Sequence, residues 1–243
     1  MIDESIGHPP LGPLKLVEAE DAVARSSKAS TNKKQSARDR IITAAEELFA
    51  TKGLHGTSLR EIARTAAINV NLISYYFAEK EDLYDAVVDA RAALLNDARA
   101  ISLDALEHRY SPEPVPVPEI IRSLIHPFFA LRGEDPAGWD YWVHLLDRET
   151  GTDLFTNAMA RNLSVVLRRY LYCLHRSVPN ADRVDLLFVL ELTTRAMVMG
   201  SEWDMQAIVP DHATEMFLDD KAVEERIVRS MSAAALSFNK STA

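Results

Sequence analysis

The sequence predicts an all-α protein, and three observations carry that prediction. Apolar residues recur at i, i+3, i+4 and i+7 along most of the chain beyond residue 38, with no convincing period-two segment and no internal repeat. Helix-start and helix-stop residues stand where these stripes begin and end, as with Ser58 paired to Glu61 at one start and Gly53 at one stop. The chain has 243 residues, enough for one small and one medium domain that each bury a core without disulfides or metals. The expected organisation is a tail over 1–35, a three-helix N-terminal domain over 36–82 and a larger helical domain over 83–243.

The tail holds Pro9, Pro10, Pro13 and the aperiodic run ARSSKASTNKKQSAR, and is expected to be mostly disordered. Its basic end, Lys28, Lys33, Lys34, Arg38 and Arg40, suits either a DNA-contacting arm or a solvated leader. The first helix, Arg38 to Lys52, places Ile41, Ala45, Leu48 and Phe49 on one face, and Gly53 caps it. A second begins at Ser58, whose hydroxyl and the Glu61 carboxylate can satisfy each other's orphan amides. Its narrow stripe of Leu59, Ile62, Ala63 and Ala66 leaves Arg60, Glu61 and Arg64 outside. After Ala66-Ala67 a third helix, about Val70 to Phe77, buries Ile73 and Phe77 and leaves Asn69, Asn71, Ser74, Tyr75 and Tyr76 as a polar surface. A short amphipathic helix followed by one exposing hydroxyls and amides is the layout of a helix-turn-helix DNA reader.

A fourth helix begins near Glu81 and runs past Leu95 toward Leu106, with Leu83, Ala86, Val87, Ala90 and Leu94 on one face. Residues 111–118, SPEPVPVP, read as a non-helical connector because four prolines remove donors and fix φ. Further helices are expected over Glu119 to Arg132, Gly138 to Thr150, Leu154 to Ser177, Asp182 to Met205 and about Thr214 to Phe238. Within 184–200 nearly every helical face is apolar, which implies burial on several sides. The last helix sets Val223, Ile227, Met231, Ala234 and Phe238 near heptad spacing, with small Ala233 to Ala235 alongside.

Charge is divided along the chain. The net value is −9, yet residues 33–80 carry eight Lys/Arg against five Asp/Glu, while residues 81–243 carry 16 against 26. A basic head is what phosphate neutralisation needs, and an acidic body discourages binding in the wrong orientation. The single cysteine, Cys173, lies in an apolar helical stretch and reads as a buried structural thiol in a reducing cytoplasm. No run approaches the ~18 apolar residues that span a bilayer, and MIDESIGHPP lacks an apolar signal core, so a soluble cytoplasmic protein with no membrane partner is expected. GxSxG, HExxH, P-loop and GxGxxG patterns are all missing, which argues against an enzyme and for no cofactor. His126, His144 and His175 with Glu149 lack the i, i+4 spacing of paired metal ligands, so no metal is expected either.

From Arg40 to Leu83 the chain resembles the DNA-binding domain of the TetR family of one-component transcriptional regulators. The matching residues are Ile41, Ala44, Ala45, Leu48, Phe49, Gly53, Thr57, Ser58, Ile62, Ala63, Ala66, Tyr75, Phe77, Lys80 and Leu83, without a gap. Two positions depart from the family pattern: Ala67 stands where glycine is usual in the turn, and Ser74 replaces the first of two consecutive tyrosines. Beyond this stretch only length and helical character are alike.

On the residues themselves, Thr57 and Ser58 are expected to bond phosphate oxygens at the start of the second helix, where the macrodipole favours anions. Arg60 adds an outward cation. Asn69, Val70, Asn71 and Leu72 would enter the major groove, with Asn71 suited to adenine and Leu72 to a thymine methyl. The resemblance implies that Tyr75, Tyr76 and Lys80 clamp phosphates. It also implies a homodimer whose two C-terminal helices form a four-helix interface, here through Leu187, Leu190, Val223, Ile227 and Met231. The same helices could instead complete the core of one protomer.

The later helices hold an aromatic cluster, Phe128, Phe129, Trp139, Tyr141, Trp142, His144, Phe155, Tyr170, Tyr172 and Trp203. A small-molecule site between them is expected to be lined by Phe129, Trp142, His144, Arg148, Arg195 and Glu202. Taken together, these readings describe a dimeric regulator, a repressor released from a palindromic duplex operator by a small, apolar or acyl-type effector. A helical small-molecule sensor or partner-binding protein without specific DNA binding is the other class that the residues allow.

Overall fold

Ser36 opens the first helix by a reciprocal cap: its hydroxyl accepts from Asp39 N at 3.1 Å and its own N–H donates to the Asp39 carboxylate at 3.2 Å. In the computed structural model, which describes residues 36–149, 152–199 and 220–239, the described residues form α-helices joined by short connections. The tail over 1–35 lies outside them, as do Glu202, Trp203, the side chain of Phe155 and the expected helix ends at Thr150, Met205 and Thr214.

Helix α1 (Ala37–Gly56) breaks at Gly53, whose φ of 77° is the left-handed conformation expected of a glycine stop. Helix α2 (Leu59–Thr65) starts at the Ser58–Glu61 capping box, and α3 (Val70–Tyr76) at Asn69, whose side chain accepts from Asn71 N at 2.9 Å. Helix α4 (Lys80–Tyr110) then runs for 31 residues from the three-helix head into the body. The body continues with α5 (Val117–Glu134), α6 (Pro136–Glu149), α7 (Asp153–Ser177), α8 (Arg183–Met199) and α9 (Asp220–Ser237). No helix among the described residues is long and apolar enough to cross a membrane.

Two expectations are corrected. The proline-rich connector ends at Pro116, because Val117 and Pro118 already form the first turn of α5, where no N–H is required and the ring pre-sets φ. The inward face of α4 is also rotated from the expected one: Leu94 and Ala90 are exposed, while Tyr84, Val88, Ala92, Leu95, Leu103 and Leu106 are buried alongside Leu83 and Val87. Neighbours packed on two sides of this helix select the row 84, 88, 92, 95, 99, 103, 106.

The head core, Ile41, Ala45, Phe49, Ile62, Ile73 and Phe77, continues along α4 into the core of the body. There α5 is the central helix, packed by α4, α6, α7, α8 and α9. Its Pro127 cannot bond Ser123 O in the helical pattern, and the Tyr170 hydroxyl donates to that carbonyl at 2.9 Å instead. Two arginines fasten α9 to α5: Arg122 to Glu225 at 2.8 Å and Arg132 to Asp220 at 2.9 Å. Cys173 is buried, and burial pushes its thiol up to about 11, as a structural thiol requires.

Candidate nucleic-acid interface

Helices α2 and α3 meet through a turn that ends α2 at Ala66 and restarts at Asn69. The turn is made by Ala67 at φ 52°, a left-handed conformation with Ala67 N donating to Arg64 O at 3.2 Å. Alanine holds this conformation at a cost that glycine does not bear, because its Cβ crowds the following carbonyl. Ala67→Gly is therefore expected to stabilise the fold by about 1 kcal/mol. A denaturant midpoint that stays put or falls would show that the turn is not strained.

The polar face of α3 is presented outward. Tyr75 is 78% exposed and Tyr76 39%, with their rings edge to face at 5.2 Å, and Asn71 and Ser74 are exposed as well. Asn71 makes no side-chain hydrogen bond to the described residues, whereas the Asn69 oxygen is committed to capping its own helix. Val70 and Leu72 are half-buried, each with part of its side chain still accessible beside Asn71. Beneath this face Ile73 and Phe77 lock α3 to the head core, and the Arg38 guanidinium lies 5.4 Å over the Phe77 ring.

Around this face the expected phosphate contacts divide. Ser58 and Arg60 are exposed at the start of α2. The Ser58 hydroxyl and amide both engage Glu61, while Lys52 bonds the same carboxylate at 2.9 Å. The Lys52 hydrogen bond and those from Ser58 hold the Glu61 carboxyl at about 2, well below the usual carboxylate range. Thr57 is a correction: its side chain is buried, and its hydroxyl lies within bonding distance of Gly53 O at 2.9 Å and Leu48 O at 3.1 Å. It closes the carbonyls left open by the break at Gly53, so its hydroxyl is unavailable to phosphate. Lys80 also bonds inward, to Thr57 O at 3.0 Å, and retains two N–H groups on its ammonium. The readily available cations of this region are thus Arg60 and Arg64.

The residues expected to line an effector site are not gathered together. Phe129 and Trp142 are buried, and the Trp142 ring N–H has no hydrogen-bond partner among the described residues. Phe128, Trp139 and Trp142 form a chain of edge-to-face rings at 5.7 and 5.4 Å. His144, Arg148 and Arg195 instead face outward. Arg148 lies over Gly53 of the head and reaches Thr51 O at 3.4 Å, and Arg195 pairs with Glu191 one turn away at 3.0 Å. Both arginines are exposed and take the wet side of their helices. His126 lies 3.2 Å from the Glu224 carboxylate, and no group of three potential ligands for a metal occurs among the described residues.

The expected interface residues also divide. Leu190, Val223 and Ile227 are buried within the chain, where they complete the protomer's own core, and Met231 is half-buried. Leu187 is exposed, and it belongs to an apolar row of Val184, Leu187, Phe188 and Leu192 on the outer face of α8. An all-round apolar helix supplies both surfaces.

A second contact, not read from the sequence, ties head to body. Arg91 of α4 donates through Nε and Nη2 to both Glu46 oxygens at 2.9 Å, pairs through Nη1 with Asp135 at 2.8 Å, and lies 5.2 Å over the Trp139 ring. A Cβ at Gly138 would overlap Arg91 Nη2 and Asp135 Oδ2, so glycine is what lets the guanidinium lie against α6. Burial alone would pull the Arg91 guanidinium down, but Glu46 and Asp135 outweigh it and hold it up. Burial raises the Glu46 carboxyl above its ordinary value, and Arg91 offsets part of that.

Residues 41–87 match the family model for bacterial regulatory proteins of the tetR family, and residues 122–234 match that for a tetracyclin repressor-like C-terminal domain. The chain is 35% identical over 97 residues to the HTH-type transcriptional dual regulator CecR of Shigella flexneri, covering 40% of this chain and 43% of that protein. It is 32% identical over 106 residues to the HTH-type transcriptional repressor NicS of Pseudomonas putida, covering 44% and 42%. The chain thus spans under half the length of the curated relatives it matches. In fold it is similar to a bacterial regulatory protein in the tetR family from Rhodococcus RHA1, with a TM-score of 0.56 and 19% identity over 82% of this chain and 97% of that one.

Proposed function

Because the chain belongs to the TetR family, whose members are DNA-binding helix-turn-helix regulators of transcription and not enzymes, we propose that it is a dimeric repressor. Its operator is a palindromic duplex, and a small, largely apolar effector releases it. In this reading residues 36–82 form the reader and 83–243 the ligand-binding and dimerisation body. The observation that carries the proposal is the outward polar face of α3, with Asn71 free of internal bonds and Tyr75 78% exposed on a helix anchored by Ile73 and Phe77. Asn71 and Leu72 read base edges, while Arg60, Tyr75, Tyr76 and the free N–H groups of Lys80 hold phosphates; Ser58, whose two donors engage Glu61, caps α2 beside them. Two such readers, spaced by a helical turn or a multiple of it, give a palindrome enough contacts for selectivity.

Effector release follows from population shift: a ligand that binds the body better in the state with the wrong reader spacing favours that state by its differential affinity. Helix α4 is the natural transmitter, since it is packed in the body and also carries Arg91 against Glu46 of the head.

Selection of bound duplexes from a random pool at physiological salt tests the proposal. An enriched palindrome is expected, and enrichment of nothing, or salt-sensitive binding to every sequence, would favour a sensor or partner-binding protein instead. With the enriched site in hand, Asn71→Ala is expected to cost about 1–3 kcal/mol at one base pair per half-site. Equal losses on cognate and scrambled duplexes would remove Asn71 from base reading.

A further inference from the structure

Arg99 is a buried cation in the middle of the body. It is 1% exposed, and among the described residues it makes no ion pair. Its Nε donates to Leu124 O at 2.8 Å, while Nη1 reaches only Asn96 Oδ1 at 3.3 Å and Nη2 only the Met197 thioether at 3.7 Å. Sulfur is a weak acceptor, so the described residues satisfy the outer fork of this five-donor group only poorly. Burial lowers this guanidinium to about 10, which still leaves it charged at neutral pH.

The polar groups nearby form an ordered set rather than an accident of packing. Asn96 is fixed by a 2.7 Å bond from its Nδ2 to Asn162 O. Tyr170, itself fully buried, has its hydroxyl at 2.9 Å from Ser123 O and 3.2 Å from Arg99 O. Arg99 sits on the buried row of α4 between Leu95 and Leu103, so the surrounding space is otherwise apolar.

We infer that Arg99 anchors the carboxylate of a small, otherwise apolar acid, which rests on the reading of the body as an effector domain. The outer fork, Nη1 and Nη2, held only by Asn96 Oδ1 and the Met197 thioether, presents two N–H groups to a planar anion with two oxygens once the thioether gives way. A monoanion neutralises one guanidinium, whereas a dianionic phosphate would leave net negative charge buried among leucines. Entry requires the Met197 side chain to move aside, and an unbranched thioether does so readily. The acid would act on the helix that carries the reader, since Arg91 lies two turns away on α4 and grips Glu46.

Decanoate tests this, with decanol and decylamine as tail-matched controls, by calorimetry and thermal unfolding of the full chain below their aggregation concentrations. Decanoate is expected to bind one per chain and raise Tm, with both controls at least ten-fold weaker. Arg99→Gln, which keeps a neutral donor for Leu124 O, should weaken decanoate at least ten-fold, leave decanol unchanged and keep or raise the Tm of the unliganded protein. Arg99→Lys, charged but without the fork, should fall between. Failure of decanoate, hexanoate and benzoate all to bind, equal affinity for decanoate and decanol, or full binding by Arg99→Gln would each overturn the inference. So would a drop in unliganded Tm for Arg99→Gln with no decanoate binding, which would mean that the protein supplies the counter-charge. A palindrome recovered from the duplex selection without carboxylate binding sinks this site alone, while carboxylate binding without duplex enrichment sinks the regulator reading and leaves the site standing.

Discussion

Arg91→Ala is expected to destabilise the protein by about 3–5 kcal/mol at neutral pH, the usual cost of stranding one partner of a buried ion pair. The stranded group is Glu46, whose side chain is 6% exposed and whose two oxygens both accept from Arg91 in the native protein. The loss should be pH-dependent in a definite sense. Burial already raises the Glu46 carboxyl, and removing the guanidinium raises it further. A group whose folded-state value lies above the unfolded one favours folding when protonated, and that contribution is lost as pH rises through the folded value. The deficit of Arg91→Ala should therefore be largest above neutrality and shrink as pH falls toward the ordinary carboxylate range. Urea unfolding at pH 7.5 and pH 5 measures it, and equal deficits at both values would mean that lost packing against Trp139, not stranded charge, is responsible. Replacing both partners, Glu46→Met with Arg91→Met, should recover most of the stability, since two apolar groups leave no charge behind. It should not recover regulation if this pair transmits the body's state to the reader. Gly138→Ala probes the same contact from the other side, because a methyl there must push the guanidinium off α6.

Local signals in the sequence were enough for the head. The Ser58–Glu61 capping box, the glycine stop at 53 and the start of α3 at Val70 stand where expected, because each is decided by residues within one helical turn. What escaped depends on distant partners. Glu46 and Arg91 lie 45 positions apart, and each alone looks like an ordinary helix-surface charge. Thr57 had two possible occupants for its hydroxyl, a phosphate or the carbonyls freed at Gly53, and only the folded chain shows that the second lies nearer. A usable signal existed for Arg99. It falls on the row 92, 95, 99, 103, 106 of α4, where every other member is apolar, and an arginine in such a register marks a buried charge before any coordinates are known. The expected face, through Ala90 and Leu94, was displaced from that row and hid it. Periodicity gives the existence of an apolar stripe more securely than its azimuth when a helix has neighbours on two sides.

The same ambiguity decides the final expected result, Phe188→Asp, which should turn the protein into a folded monomer with operator affinity reduced by about 10²–10⁴. Helix α8 is apolar on opposite sides for different reasons. Leu186, Val189 and Leu190 are buried in the protomer, while Val184 at 70%, Phe188 at 56%, Leu187 at 44% and Leu192 at 36% exposure form an outer row among the described residues. An aspartate at 188 leaves the inner side untouched, so helical content and unfolding midpoint at low concentration should hardly change. In the proposed dimer, with this row at the two-fold axis, each substitution meets the same patch of the second copy, so a single change places two carboxylates in one apolar contact. On that proposal, loss of the partner reader removes the linkage that makes the second half-site an intramolecular event, which is why DNA affinity should fall far more than stability. Leu190→Ala is the contrasting control: that side chain is fully buried, so truncation should cost about 2–5 kcal/mol of folding stability. Light scattering and duplex titration on the two variants separate the outcomes. If Phe188→Asp stays dimeric and binds DNA as before, the outer row of α8 serves some other contact, and the two-fold interface lies elsewhere on the body.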